Sequence, residues 1–213
     1  MKTPMELRYD KLGAKVVKAL ENRFFEAYYF SEVPDAVEKV FSLIPKTDTI
    51  SWGGSMSVTA LNLTALAAEK GYNVIDRDKA ASPEERVEMM RKALLCDTFF
   101  TGANAITEDG QLINIDGNGN RVAAMMYGPK QVIVVAGMNK IVKDEDAAFE
   151  RAKNLAAPAN MQRFPSCKTP CLETGACGEC FSQDSICSYF VKIRLCRPKG
   201  KIKVILVGKD LGL

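Results

Sequence analysis

The chain has 213 residues, of which 47% are hydrophobic and 26% charged, a composition typical of a folded globular protein and not of a disordered chain. It contains no histidine, which excludes Ser-His-Asp triads, Cys-His proteases and histidine-ligated metal or haem sites. Any general base is therefore Asp, Glu, Lys, Tyr or Cys. The net charge of +3 is too small to indicate a nucleic-acid partner.

Helix and strand patterns alternate along the chain. Helices are predicted near residues 12–20, from Ser31 to Pro45, after residue 55, from Ser82, and from Asp144 to Pro158, which should end the last of them. Strands are predicted at 24–30, 47–52, 72–75, 97–101, 131–136 and 202–207, with a hairpin formed by 105–107 and 111–115. This alternation predicts a single α/β domain over residues 1–213, with a mainly parallel sheet covered by helices on both faces.

The N-terminus and the cysteines indicate the compartment. Residues 1–13 lack the apolar segment of a signal peptide, and no apolar run reaches the length that crosses a bilayer. We therefore expect a cytoplasmic protein. In a reducing compartment the seven cysteines are not expected to form structural disulfides, so a cluster of them indicates a metal or redox site.

Five cysteines lie within residues 167–187, inside a Cys-rich loop at 165–190 that we call the cysteine segment. Cys177 and Cys180 form a Cys-x2-Cys step, from which two thiolates can reach one centre, and further cysteines can complete a four-sulfur shell. Without histidine, the candidates are a zinc ion and an iron–sulfur cluster. The single Cys-x2-Cys step favours the cluster, because zinc sites usually have two. An unliganded or disulfide-bearing loop is the structural alternative.

Gly53, Gly54 and Ser55 form a turn between a predicted strand and a predicted helix. Backbone N–H groups in such a turn can hold an anion such as a phosphate or a carboxylate. The sequence matches neither a Walker A motif nor the G-x-G-x-x-G fingerprint, and the two glycines could simply turn the chain. We interpret the three residues as candidate ligand contacts.

A second polar stretch lies at 101–121, where side chains that follow parallel strands can line a pocket. Asn104, Asn118 and Asn120 are candidate ligand-binding residues, although Asx turns and helix caps also use asparagine. Glu108 is a candidate base or nucleophile. Arg121 is a candidate clamp for a carboxylate or a phosphate.

Short motifs extend over nearly the whole chain: EDG at 108–110, NGNRVAA at 118–124, YGPK at 127–130, NKIV at 139–142, APAN at 157–160, and the cysteines from 171 to 187. Together they resemble the LUD (lactate-utilisation, DUF162) domain family. The similarity is greatest to short stand-alone members with a cysteine motif near the C-terminus. The resemblance implies a NagB/RpiA/CoA-transferase-like, Rossmann-like fold and a link to lactate oxidation through iron–sulfur proteins.

The same resemblance implies the ligands of a four-cysteine centre, with a [4Fe–4S] cluster expected and zinc as the alternative. These ligands, which we call the four motif cysteines, are Cys171, Cys177, Cys180 and Cys187. By analogy with fold relatives, the turn at 53–55 would lie in the binding pocket. Glu108 is similar to the glutamate that CoA transferases use as a nucleophile. Both analogies rest on fold alone.

Three functions follow, and the sequence does not decide whether the chain is itself an enzyme. The first is a LUD protein of lactate or related 2-hydroxy acid utilisation, which binds an anionic small molecule and works with redox partner subunits or as a homo-oligomer. The second is a CoA-transferase-like or sugar-phosphate-isomerase-like enzyme that uses Glu108 and Arg121 and has a structural zinc site. The third is a non-catalytic, zinc-stabilised interaction module.

Overall fold

The computed structural model describes residues 2–213 and contains two sheets. Within these residues the main sheet has six parallel strands, in the spatial order β1 (Glu26–Phe30), β10 (Ile202–Val207), β7 (Gln131–Gly137), β4 (Thr98–Thr101), β2 (Thr49–Trp52) and β3 (Asn73–Val74). The smaller, mixed sheet has the order β8 (Ile141–Val142), β5 (Ala105–Thr107), β6 (Leu112–Asp116) and β9 (Tyr189–Ile193). The predicted α/β fold with a mainly parallel sheet is confirmed.

The helices begin where the sequence provides caps. Thr3 and Glu6 form a capping box, and the Ser82 side chain accepts a hydrogen bond from the Glu85 N–H at 3.2 Å. The helices are α1 (Pro4–Asn22), α2 (Val33–Ser42), α3 (Met56–Ala60), α4 (Leu63–Glu69), α5 (Pro83–Ala93), α6 (Asn120–Met126), α7 (Glu145–Arg151), α8 (Ala157–Met161) and α9 (Pro170–Thr174). Within residues 2–213 no helix combines the length and the apolarity needed to cross a bilayer.

Both faces of the main sheet are covered by helices, because the side chains of each strand alternate between two apolar clusters. In β7, Val132 and Val134 pack in one cluster with residues of α1, α5 and α6. Ile133 and Val135 pack in the other cluster with residues of α2, α3 and α4. Strands buried on both sides explain the apolar runs from which they were predicted.

The prediction that Pro158 ends the helix beginning at Asp144 is wrong. α7 continues through a π-helical turn, Ala152–Ala156, into α8, and Pro158 lies in the first turn of α8. Proline lacks the N–H of a regular helical hydrogen bond, and its ring clashes with the carbonyl of the preceding turn. The wider π turn accommodates both effects, so the helical path bends without ending.

Candidate functional site

A cavity of about 500 Å³ lies at the carboxyl edge of the main sheet, and we call it the edge cavity. In the sheet, β3 lies on one side of β2 and β4 lies on the other side. The chain therefore runs in opposite directions across the sheet after β2 and after β4, and the loops that follow these strands diverge. Such a divergence leaves a crevice in which ligands of open α/β sheets bind. The loops after β3 and β7, the stretch 115–121 and the helical region around 156–164 complete the walls.

The structure brings together all six of the predicted ligand-binding residues. The edge cavity is lined by Gly53, Gly54, Ser55, Asn104, Asn118 and Asn120. At Gly53 a Cβ would lie 2.8 Å from Arg121 Cγ, so a glycine is required for this close approach. That the six residues contact a ligand stays a prediction.

Arg121 reaches the edge cavity, but its guanidinium is already bound to the protein. Nη1 donates to Asn114 Oδ1 at 2.7 Å, and Nη2 donates to the Ile115 carbonyl at 2.7 Å. Nη2 also donates to Asn104 Oδ1 at 3.2 Å, and Nε lies 3.7 Å from Asp116 Oδ2. Burial lowers the pKa of Arg121, which nevertheless remains charged. These contacts join the ends of β4 and β6, so Arg121 positions the cavity wall instead of acting as a free anion clamp.

Glu108 does not line the edge cavity. It follows β5, which belongs to the smaller sheet, so it does not reach the carboxyl edge of the main sheet. Its carboxylate lies 2.5 Å from Lys15 Nζ on α1 and 3.5 Å from Lys143 Nζ. The hydrogen bond from Lys15, with the charge of Lys143, lowers the pKa of Glu108. The predicted grouping of Glu108 with the Gly53 turn and Arg121 is therefore not found, and Glu108 is the carboxylate of surface ion pairs.

The edge cavity contains basic residues that the sequence patterns did not identify. They are Arg77, Arg86, Lys140 and Arg163. With Arg121, five basic side chains face three carboxylates, those of Asp78, Asp116 and Asp184. The cavity is therefore suited to an anion.

Lys140 is the most deeply buried of these basic residues, with 4% of the residue exposed. Its Nζ donates to the Ala103 carbonyl at 3.0 Å, the one hydrogen-bond acceptor it contacts within residues 2–213. Burial, together with the charges of Arg151 and Arg121, lowers the pKa of Lys140 to about 7. Its position in the NKIV motif, directly after the strongest predicted strand, is a sequence signal that could have identified it.

The carboxylates of the edge cavity are occupied by donors of the protein itself. Asp116 accepts the backbone N–H groups of Arg121 and Val122 at 3.1 Å each, at the start of α6. Asp78 accepts the Trp52 indole N–H at 3.1 Å and a bond from Arg86 Nη1 at 3.0 Å. An anionic ligand would thus meet carboxylates whose charge is already compensated.

A second cavity, of about 480 Å³, lies in the cysteine segment, and we call it the cysteine cavity. The four motif cysteines line it, whereas Cys167 does not. Burial and the other three motif cysteines raise the pKa of the Cys187 thiol to about 11. Cys96 and Cys196 are buried in the core. All seven cysteines are free thiols.

The spacing of the thiols bears on what they could hold. Within residues 2–213, no three Cys, Asp or Glu side chains are grouped closely enough to hold one metal ion. A tetrahedral zinc site needs four ligands that converge on one ion at about 2.3 Å. The four motif cysteines share a cavity without converging on a single point.

Contacts to the helical region hold the cysteine segment in place. Gln162 Nε2, just after α8, donates to the Cys171 carbonyl at 2.8 Å. Lys153 of the π-helical turn forms an ion pair with Glu179. At Gly175, φ is +73°, a value that favours glycine and lets the chain turn from α9 toward Cys177.

The two cavities are neighbours. Three residues line both of them and form what we call the shared wall: Ala157, Ser185 and Ile186. Ile186 immediately precedes Cys187, and its Cα lies 3.0 Å from the position that a Cβ at Gly117 would take. Glycine at this position therefore allows the cysteine segment to close against the edge cavity.

Comparisons with known proteins agree with this fold. A family model described as the LUD domain matches residues 13–207, and no curated protein matches the sequence. The crystal structure of a DUF162 family protein from Deinococcus radiodurans is similar at a TM-score of 0.52 and 13% identity, covering 93% of this chain and 98% of that one. Two Chaetomium thermophilum structures, eIF2B delta and the tetrameric eIF2B-beta2-delta2 complex, match at 21% identity and TM-scores of 0.33. They cover 51% and 64% of this chain, and 48% and 46% of their own chains. These low scores establish no relationship in fold.

Proposed function

Because the chain belongs to the LUD domain family, we propose that it serves lactate or related 2-hydroxy acid utilisation as a redox protein. It binds the acid or its 2-oxo product in the edge cavity and carries a [4Fe–4S] cluster on the four motif cysteines. The observation that carries this proposal is the shared wall, because Ala157, Ser185 and Ile186 line both cavities.

A cluster is the centre we propose for the cysteine cavity, because its four thiols line one cavity. In a [4Fe–4S] site four thiolates surround a cluster, and they need not converge on a single ion. The four motif cysteines line one cavity of about 480 Å³ without such convergence. When bound, the cluster would supply one-electron transfer at this position.

Within the edge cavity, Lys140 is the residue best placed to bind the carboxylate of the acid. It is buried, and within residues 2–213 its Nζ contacts no carboxylate. The charge of Arg121, whose donors are already used, acts on it. Hydrogen bonds to a charged group are about twice as strong as neutral ones. Asn118, Asn120 and the backbone of the turn at 53–55 can then orient the rest of the ligand.

The proposal includes redox partner subunits because the oxidation releases more electrons than one cluster can hold. Oxidation of a 2-hydroxy acid to a 2-oxo acid releases an electron pair and two protons. A single [4Fe–4S] cluster carries one electron at a time. A partner redox protein is therefore needed to accept the electrons.

The alternative enzyme of the CoA-transferase or isomerase type has less support. It requires the Glu108 carboxylate in the ligand cavity, and that carboxylate pairs instead with Lys15 and Lys143 at the surface. The five basic side chains of the edge cavity are not explained by a zinc-stabilised interaction module, which needs no anion site.

Electron paramagnetic resonance of the anaerobically purified, reduced protein tests the proposed function. Adding lactate or pyruvate should change the spectrum of the cluster, because the ligand would bind directly behind the shared wall. Acetate, which lacks the 2-hydroxy or 2-oxo group, is the control. If the spectrum stays unchanged at concentrations where calorimetry shows lactate bound, the proposed coupling of the two cavities is wrong.

Lactate affinity should fall as the pH rises above about 7, because the anion binds protonated Lys140, whose pKa is lowered to about 7. Above that pH, binding must take up a proton, which lowers the affinity by up to about tenfold per pH unit. The nearby Arg121 and Arg151 stay protonated throughout. Calorimetry from about pH 6 to about pH 9 measures this dependence.

Two variants test whether the pH dependence of lactate affinity comes from Lys140 and not from another ionisable group. Lys140→Met should bind lactate weakly at every pH, whereas Glu108→Gln, which alters only a carboxylate outside the edge cavity, should behave as the wild type. An affinity of the wild type that does not vary with pH would contradict the role of Lys140.

A further inference from the structure

Arg77 is a buried arginine on the wall of the edge cavity with few partners in the protein. It lies in the short turn Arg77–Lys79 after β3, and 11% of its side chain is exposed. Its Nε is buried and has no hydrogen bond within residues 2–213. Nη1 contacts the Met90 thioether at 3.4 Å, and thioethers are weak acceptors. Buried donors without acceptors cost free energy, so an acceptor from outside the protein is expected.

Too little negative charge surrounds Arg77 to neutralise it. The nearest carboxylate oxygen, Asp78 Oδ1, lies 3.8 Å from Arg77 Nε. The same oxygen is only 3.0 Å from Arg86 Nη1. Two arginines therefore share one carboxylate, and Arg163, a further basic residue of the wall, donates to the amide oxygen of Asn160. The charge of Asp116 also acts on Arg77, so three arginines face two carboxylates here, and this side of the cavity keeps a net positive charge.

Arg77 and Lys140 lie on opposite sides of the edge cavity. Arg77 follows β3, and its Nη2 lies 3.1 Å from the position of a Cβ at Gly54. Lys140 follows β7 and contacts Ala103 after β4. Their charged ends therefore lie beside the ends of the neighbouring strands β2 and β4, at two separate points of the cavity. Arg77 and Lys140 are thus two separate basic groups, whereas lactate carries a single carboxylate.

We propose that the ligand of the edge cavity carries a second anionic group, which binds Arg77 while its 2-hydroxy acid carboxylate binds Lys140. The ligand class is then an organic dianion larger than lactate, with a carboxylate or a phosphate as the second group. This inference rests on the proposed function and narrows its substrate. The cavity volume of about 500 Å³ agrees, because cavities of about 300–1,000 Å³ enclose ligands much larger than a three-carbon acid.

Calorimetry with three probes at one pH and one ionic strength tests the inference. The probes are lactate, malate, which adds a carboxylate, and glycerate 3-phosphate, which adds a phosphate. We expect at least one dianion to bind about tenfold or more tightly than lactate, as a charged hydrogen bond at Arg77 would give. The tighter of the two dianions identifies the second group. Arg77→Met should remove the preference, bringing the ratio of affinities close to one.

Arg91→Met is the matched control, because Arg91 lies on α5 outside the edge cavity and pairs with Glu88. It should keep the preference for the dianion. Equal affinities of the wild type for all three probes would overturn the inference and leave the proposed function standing, and this comparison needs no variant. An Arg77→Met protein that keeps the wild-type ratio would also overturn it. If none of the probes binds, the proposed function fails as well.

Discussion

Replacing Arg121 by methionine should lower the free energy of unfolding by about 3–5 kcal/mol, the usual cost of breaking a buried ion pair. Arg121 and its partner Asp116 have only 11% and 10% of their side chains exposed. The substitution would leave the Asp116 carboxylate without its counter-ion and would remove the donors to Asn114 and Ile115. Urea unfolding followed by circular dichroism measures the effect.

The control for Arg121 is Arg91→Met, because the Arg91–Glu88 pair is exposed and such pairs contribute about 0–1 kcal/mol. The measurement also decides between the two interpretations of Arg121. If Arg121 were a free anion clamp, Arg121→Met would change the free energy of unfolding little and would lower the ligand affinity strongly. A decrease of less than about 1 kcal/mol for Arg121→Met would therefore contradict the structural role assigned here.

Cys177→Ser and Cys180→Ser should each abolish the bound cluster and increase protease cleavage within residues 165–187. A serine hydroxyl does not replace a thiolate ligand, and ligation and local folding are coupled. The segment has little secondary structure of its own, since its helix, α9, has 5 residues. Iron and sulfide analysis measures the first effect, and limited proteolysis measures the second.

Cys167→Ser is the matched control for the cysteine variants. Cys167 lies in the same segment but does not line the cysteine cavity. This variant should keep the iron content and the protease resistance of the wild type. Unchanged metal content and unchanged cleavage in both Cys177→Ser and Cys180→Ser would exclude the four motif cysteines as ligands.

The main sheet could be predicted from the sequence because its strands are apolar runs that end in turns. The strand predicted at 202–207 coincides with β10. The strand predicted at 131–136 ends one residue before β7 does. β9 was not predicted, although its aromatic and β-branched residues favour a strand, and it pairs with the distant β6. α6 was missed because its N-cap is Gly119 with φ +77°, which provides no side-chain cap to detect.

The candidate site was predicted in part for the same reason. Polar residues after β2 and β4 converge because parallel strands place their carboxyl ends at one edge. Glu108 could not be separated from them, since the sequence does not reveal that β5 belongs to another sheet. Arg77 carries no local sign of burial, because an arginine in a loop usually lies at the surface, whereas the NKIV motif could have identified Lys140.

The central claim is that the four motif cysteines hold a [4Fe–4S] cluster beside the ligand cavity. Anaerobic purification, followed by a visible absorption spectrum and by iron, sulfide and zinc analysis of the same sample, tests it most directly. A brown protein with about four iron and four sulfide per chain is the expected result. A colourless protein with about one zinc per chain would contradict it and would make the cysteine segment a structural zinc site.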